Sequence, residues 1–288
     1  MKLDLKTDSL ELAKPKISNS LELAKELHKP IRRNFERRRI ITKGINELWA
    51  ADLLIMTTVD TKINKGFKYM LNVIDTFSKF AYIEPLKKKD GPSVSEAFER
   101  IIQKSDNPPK LLHTDSGKEF LNTNFQKILK RYNIKMYQTH SEIKSSIVER
   151  FNRTINQKLK IQFEIQQNTK WIDIIDKLLY EYNFEDVHRT IGMKPCEVNT
   201  KNENDIYNNV YKTELTNEIP CFKIGDKVRI YAYKKTFENK YKNNWTHEVF
   251  IVNKIYFSNP ITYSIMDLNK EQIIGKFYKY ELLKTIYN

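Results

Sequence analysis

From Leu48 onward the apolar residues fall into short runs that read as strands. Leu48–Val59 is the first, closed by a turn-like stretch from Asp60 to Gly66. Phe67–Asp75 (FKYMLNVID) and Phe80–Leu86 (FAYIEPL) follow, joined by the short Thr76–Lys79 connection; three successive strands predict an antiparallel meander. The period then changes. Val94, Ala97, Phe98, Ile101 and Ile102 recur at helical spacing within Ser93–Lys104, and Pro108-Pro109 ends that helix. Lys110–Thr114 predicts a short strand, Glu119–Tyr132 a helix and Ile134–Gln138 a fifth strand. Ser145–Gln167 and Trp171–Glu185 read as two more helices. The order β-β-β-α-β-α-β-α-α predicts an α/β layer around a mixed five-stranded sheet.

The flanks follow other patterns. Ser9-Leu-Glu-Leu-Ala-Lys14 is echoed by Ser20-Leu-Glu-Leu-Ala-Lys25, an eleven-residue period compatible with helix but interrupted by Pro15, so two short helices are expected. Residues 201–220 are polar and Asn-rich and read as a linker. Beyond it, Phe222–Ile230, Val249–Phe257, Thr262–Asp267 and Gln272–Phe277 are short β runs separated by turns, the pattern of a small all-β barrel over 221–288. The expected domains are therefore a basic helical segment 1–44, an α/β body 45–200, the linker and the barrel.

Charge sharpens this division. The formal net charge is +14. Residues 1–44 carry 12 basic and 6 acidic side chains, residues 45–220 carry 26 and 24, and residues 221–288 carry 12 and 6. A near-neutral body between two basic flanks suggests a catalytic unit with ends that hold a polyanion. The densest run, His28 to Arg39, places Lys29, Arg32, Arg33, Arg37, Arg38 and Arg39 around a single acid, Glu36. Such runs are often solvated faces; contact with a DNA backbone is the expectation here. Cys196 and Cys221 have no CxxC or HxxxH partner, which excludes a four-ligand zinc finger from this chain alone and offers no disulfide framework. No apolar run approaches the ~18 residues of a membrane span, and acidic residues interrupt the N-terminus where a signal peptide is apolar. A soluble intracellular protein with no membrane partner is expected.

Three carboxylates stand out by their settings. Asp52 lies inside an apolar strand (Trp49-Ala-Ala-Asp52-Leu-Leu-Ile), where an acid is costly unless it is paired, hydrogen-bonded or holding a metal. Asp115 lies just past a strand end, in Leu111-Leu-His-Thr-Asp-Ser-Gly-Lys-Glu-Phe120, a usual place for active-site groups in α/β sheets. Glu149 is near the start of a helix whose apolar stripe is Val148, Phe151, Ile155 and Leu159, so it falls at the stripe's edge, with Arg153 one turn on. Carboxylate oxygens are the ligands that Mg²⁺ or Mn²⁺ prefers, and two such ions about 3.5–4 Å apart can serve both oxygens of an in-line phosphoryl displacement. One strand-end acid alone is more often a turn residue; the three together carry the inference.

WAADLL, NVIDTFSKFAYIEPL, HTDSGKEF and SSIVERFNRT occur in that order, and their succession resembles the catalytic core of retroviral-type integrases and DDE transposases over about residues 45–200. Two flanking stretches, HKPIRRNFERRRIITKGINELW and NNWTHEVFIVNKI with the segment after it, resemble most the integrases of Polinton/Maverick-type elements and virophages. The resemblance implies an RNase H-like fold, and Asp52, Asp115 and Glu149 as a triad holding two Mg²⁺ or Mn²⁺ ions, Asp52 bridging both. It implies nicking of an element's DNA end, then attack of the freed 3′-hydroxyl on target DNA. Arg153 and Lys158 match positions that touch DNA in relatives. Double-stranded DNA, further copies of the chain and a host nucleus or a virus particle are the implied partners and places. Two departures stand: 33 residues separate Asp115 from Glu149, fewer than retroviral integrases usually show, and the His/Cys zinc module that precedes many retroviral cores is missing. The shorter spacing predicts a reduced loop around Thr139–Lys144.

Other residues carry weaker signals. Asp75 reads as a turn-starting acid more than as a fourth ligand. His113 shares a strand side with Asp115 but is expected to pack, and His188 to close a helix before Pro195. The tail resembles an SH3-like or chromo-like barrel with a turn at Gly225-Asp226. In it Tyr231, Tyr233, Trp245 and Tyr256 read mainly as core, with base stacking or a methyl-lysine cage, hence chromatin binding, as the other use. Lys234, Lys235, Lys240 and Lys242 are candidate DNA contacts. Besides an active integrase, the sequence admits a domesticated DNA- or chromatin-binding protein that lost catalysis, and a nuclease on RNA–DNA hybrids, which the basic flanks fit poorly.

Overall fold

The structure, a computed structural model, describes residues 14–32, 34–56, 59–115, 117–138, 146–212, 218–232 and 242–286. The chain forms two compact units: Ile40–Lys212, and Met1–Arg39 together with Thr213–Asn288. No helix among the described residues is long and apolar enough to cross a membrane.

In the larger unit the strands are β1 (Leu48–Ile55), β2 (Tyr69–Asp75), β3 (Ala81–Leu86), β4 (Leu111–Thr114) and β5 (Lys135–Gln138), in the spatial order β3-β2-β1-β4-β5. The first three pair antiparallel, and β1–β4 and β4–β5 pair parallel. This is the mixed five-stranded sheet that the order of elements predicted. Parallel neighbours need crossovers, and the helices supply them: α2 (Gly91–Lys104) leads into β4 and α3 (Thr123–Arg131) into β5. Both helices begin on side-chain caps. Asp90 accepts the amide of Ser93 and Asn122 that of Phe125, each satisfying a donor that the first turn leaves orphaned. The sequence set the start of α3 at Glu119; Asn122 moves it to Thr123.

Side chains alternate across a strand, so β1 feeds two cores. Trp49, Ala51 and Leu53 pack with Val94, Phe98, Ile101, Phe125 and Leu129 from α2 and α3. Ala50 and Leu54 face the opposite way, toward Val148, Phe151, Ile155 and Leu159 of α4 (Ser146–Gln166) and Ile175 and Leu178 of α5 (Ile175–Tyr180). Fully burying one such side chain contributes roughly 1.5–3 kcal/mol. The helix predicted over Trp171–Glu185 is shorter than expected: α5 begins at Ile175 and ends in a wide turn, Glu181–Glu185.

The predicted linker is partly structured instead. Glu203–Ile206 is a helical turn, α6, continued by a wider turn at Tyr207–Tyr211. Ile206 and Tyr211 are buried against Phe77, and the Tyr211 hydroxyl donates to the Phe77 carbonyl at 2.7 Å. Two buried anchors in an Asn-rich stretch are too few to stand out as a periodic signal. Asp75 behaves as a turn residue: its carboxylate accepts from the Phe77 amide and the Ser78 hydroxyl, although burial still pushes its pKa up.

In the smaller unit β6 (Lys227–Ile230), β7 (Phe250–Tyr256), β8 (Thr262–Met266), β9 (Phe277–Tyr278) and β10 (Leu282–Lys284) form an antiparallel sheet ordered β10-β6-β7-β8-β9. Its core contains Val228, Phe250, Val252, Tyr263, Ile265 and Leu282. Gln272–Phe277, expected as a strand, makes a single bridge from Gln272 to Met266, and pairing resumes at Phe277. One continuous N-terminal helix, α1 (Lys14–Leu27), stands where a second short helix was expected; the first half of the echo lies outside the described residues. Its Glu26 pairs with Arg229, which is 1% exposed. An isolated buried charge costs several kcal/mol, so the pair and the carbonyls of Thr246 and His247 offset the burial of that guanidinium.

Candidate active site

Strand pairing relates Asp52 to Asp115. β1 and β4 run parallel, and Ala50 is level with His113. Two residues beyond this last pair come Asp52, inside β1, and Asp115, just past the end of β4, so the two acids belong to neighbouring parallel strands. By alternation Asp52 shares the face of Ala50, the one that α4 covers.

The α4 side completes the arrangement. Asn152 is one turn after Glu149, and its amide donates to Asp52 Oδ2 at 2.7 Å. The other carboxylate oxygen of Asp52 accepts from the Leu53 amide at 2.9 Å. Asn152 Oδ1 in turn accepts from Asn72 Nδ2 at 2.7 Å, and Asn72 is the residue opposite Asp52 across the β1–β2 pair. Asp115 caps its own turn, with Oδ1 accepting from the Gly117 amide at 3.1 Å, while Gln138 at the end of β5 donates to its backbone carbonyl. His113 packs as expected: it stacks on Tyr137, its neighbour across β5, at 5.0 Å, and burial lowers its pKa.

An open cleft of about 550 Å³ runs along α4, lined by Glu149, Asn152, Arg153, Asn156, Gln157 and Lys160. Arg153 lines this cleft. The ammonium of Lys158 sits between Glu181 at 3.3 Å and Asp186 at 2.8 Å, an ion pair that ties α4 to the end of α5. Lys160, two residues on, is the lysine in the cleft. On the Asp115 side, Lys89 pairs with Glu119 at 2.9 Å, and the hydrogen bond it donates to that carboxylate, aided by the charges of Glu119 and Asp115, raises the lysine's pKa.

The donor set at the strand ends is all oxygen, the chemistry that a hard divalent cation takes. Asp52 and Asp115 supply carboxylates on neighbouring strands, and Glu149 stands one helical turn from the residue that touches Asp52. Among the described residues no group of three or more His, Cys, Asp or Glu is gathered tightly enough to hold an ion. Asp52 and Asp115 thus belong to neighbouring strands, and the helix of Glu149 is bonded to Asp52 through Asn152.

Residues 43–141 match the integrase core domain family. An uncharacterized transposon-derived protein of Caenorhabditis elegans is 30% identical over 198 residues, 67% of this chain and 65% of that protein. The Pol polyprotein from transposon 297 of Drosophila melanogaster is 29% identical over 140 residues, 49% of this chain and 13% of the polyprotein. This chain thus spans less than two thirds of the length of both relatives. Among solved structures, a chain of the simian T-cell lymphotropic virus intasome in complex with PP2A regulatory subunit B56 gamma aligns with a TM-score of 0.61 at 15% identity, covering 98% of this chain and 96% of that one. The fold is the RNase H-like mixed sheet of an integrase core, with a second, all-β sheet in the C-terminal region.

In the smaller unit the basic run lies against its own aromatics. Arg32 stacks over Tyr280 at 4.7 Å and donates to its hydroxyl at 3.0 Å, Arg37 stacks over Phe35 at 4.4 Å, and the Arg38 amide donates to the Tyr278 hydroxyl. Arg39 is exposed, and Arg33 lies outside the described residues. Trp245 is buried, with its indole N–H on the Lys29 carbonyl at 3.0 Å and its ring beside Tyr231. Tyr256 carries Lys276 at 3.9 Å and Lys254 at 5.2 Å over its ring. These aromatics serve the chain's own cations and carbonyls rather than forming an open cage. Tyr233, Lys234, Lys235, Lys240 and the Thr139–Lys144 loop lie outside the described residues.

Sequence reasoning missed Asn72, Asn152 and Lys160. Asn72 had a signal: a lone polar residue in YMLNVID invites the same question as Asp52 in WAADLL.

Proposed function

We propose that the chain is a polynucleotidyl transferase of the integrase and transposase kind, which processes the 3′ ends of element DNA and joins them to target DNA. The observation that carries this reading is the parallel pairing of the strand that holds Asp52 with the strand that leads into Asp115, with the helix of Glu149 bonded to Asp52 through Asn152. Asp52, Asp115 and Glu149 would hold Mg²⁺ or Mn²⁺, which would supply charge neutralisation at the reacting phosphodiester. The protein's own part is orientation. Leu53 and Asn152 each fix one oxygen of Asp52, so its remaining lone pairs keep one direction. Arg153 and Lys160 attract the phosphates of a strand lying in the cleft beside Glu149. The attacking 3′-hydroxyl belongs to DNA, so no side chain need form a covalent intermediate.

The reading extends to double-stranded DNA as partner and to a multimer, since joining two ends requires more than one protomer. The flanking motifs extend it to an element of the Polinton/Maverick or virophage kind, acting in a host nucleus or carried in a virus particle. The C-terminal unit is then an SH3-like or chromo-like module whose outer lysines contact DNA.

The test is strand transfer on element-end DNA with Mg²⁺ or Mn²⁺. Wild-type protein joins the ends; Asp52→Asn and Glu149→Gln do not, at unchanged thermal stability. Joining by either variant at the wild-type rate overturns the assignment. The ungathered acids favour one second reading, a domesticated DNA-binding protein. Wild-type protein that binds DNA and joins none under any divalent cation would establish it.

A further inference from the structure

Asn72 is fully buried on an otherwise apolar stretch of β2, between Met70 and Ile74 on the same face. Burying an amide is costly unless every polar atom finds a partner, and its Oδ1 finds none. A valine would suit the strand better. The residue's amide nitrogen makes one contact, the 2.7 Å bond to Asn152 Oδ1. That contact has a consequence for the next bond in the series. Because the Asn152 oxygen is held by Asn72, the Asn152 amide nitrogen is the end that faces Asp52, and it donates to Oδ2. The opposite orientation would set two N–H donors, Asn72 Nδ2 and Asn152 Nδ2, against each other at one end and an amide oxygen against a carboxylate at the other.

We infer that Asn72 is a positioning residue of the candidate active site: acting through Asn152, it fixes the orientation in which the Asp52 carboxylate is presented at the strand end. Its amide nitrogen bonds to Asn152, which bonds in turn to Asp52. The inference deepens the function proposed above and rests on it. It also accounts for an unfavourable burial, since the orphaned oxygen of Asn72 is the cost of aiming its nitrogen. Partners one step removed from a metal ligand typically change metal affinity or activity by about 10–100-fold when they are lost.

The test uses the full chain and Mn²⁺ alone as probe, with free Mn²⁺ read by electron paramagnetic resonance, beside strand-transfer rates. Asn72→Val removes the donor and keeps a strand-forming shape; Asn72→Thr has nearly the same shape and keeps a hydroxyl donor. Asn72→Val is expected to fold, with a melting temperature close to that of the wild type, and to lose about tenfold in Mn²⁺ affinity and in joining rate. Asn72→Thr is expected to recover part of both. A folded Asn72→Val that matches the wild type in Mn²⁺ affinity and rate overturns the inference. So does Asn72→Thr being no better than Asn72→Val, because shape rather than donation would then explain the loss. Wild-type protein that neither takes up Mn²⁺ nor joins DNA overturns the function reading itself, and is told apart from failure of the relay by the wild-type arm alone.

Discussion

The two faces of the core sheet are made by the same strands and serve different ends. Toward α2 and α3, β1 presents Trp49, Ala51 and Leu53, and β2 presents Leu71 and Val73, with the indole N–H of Trp49, held by Asn46, as the one polar side-chain atom among them. Toward α4 the same strands present Ala50, Asp52, Met70, Asn72 and Ile74, so each apolar row is interrupted once, and the two interruptions stand opposite each other. The first face gains from dry packing alone. The second gives up some of that gain to hold an acid and two amides beside the strand ends. Stability and chemistry are thus separated by the alternation of side chains along single strands, with no need for a separate loop scaffold.

The sharpest way to break this comparison is to exchange the consequences of substitution on the two faces. Asp52→Asn should reduce strand transfer on the order of a thousandfold, the scale of losing a principal electrostatic contact to the transition state. Its urea midpoint should stay near that of the wild type. On the dry face the pattern inverts. Phe98→Ala removes a fully buried ring and should cost about 3–5 kcal/mol in chemical unfolding, with joining per folded molecule unchanged. A stable Phe98→Ala protein or a destabilised Asp52→Asn protein would dissolve the distinction.

Smaller effects sharpen it. Arg153→Gln and Lys160→Gln, on the cleft side of α4, should weaken DNA binding alike for all sequences and lower the slope of log affinity against log salt by about 1 each. Lys158→Gln, whose ion pairs tie α4 to α5, should leave that slope unchanged. The smallest effect concerns His188. Burial, then the charges of Lys79 and Arg150, lower its pKa to about 4, below the ordinary 6.5. A depressed folded-state value means that the unfolded chain takes up the proton first, so stability is full above pH 6.5 and falls as pH drops toward 4. Partial exposure reduces the loss at pH 5 to about 1 kcal/mol. Denaturant titrations at pH 7 and pH 5 should show that loss in the wild type and not in His188→Gln.

Much of the larger unit was legible in advance. The strand and helix order followed from periodicity, and Asp52 and Asp115 stood out because an acid in an apolar run or at a strand end asks for a reason. Asn72 asked the same question, but its answer required knowing that β2 lies beside β1 in one register. Lys158 and Lys160 are both basic and two residues apart on a helix, so only the position of Glu181 and Asp186 separates the structural lysine from the cleft lysine. The stretch after Thr200 was read as linker because two buried residues, Ile206 and Tyr211, leave no period to detect.

What the sequence alone determined was local: which segments become strands or helices, and which polar residues sit in apolar settings. These follow from side-chain spacing and from the cost of burying charge, both written in neighbouring residues. The tertiary structure decided pairings across distance: Ala50 level with His113, Asn72 aimed at Asn152, Arg32 stacked on Tyr280. Such contacts depend on register and chain crossing, which no run of neighbouring residues encodes, because a shift of one residue reverses every face.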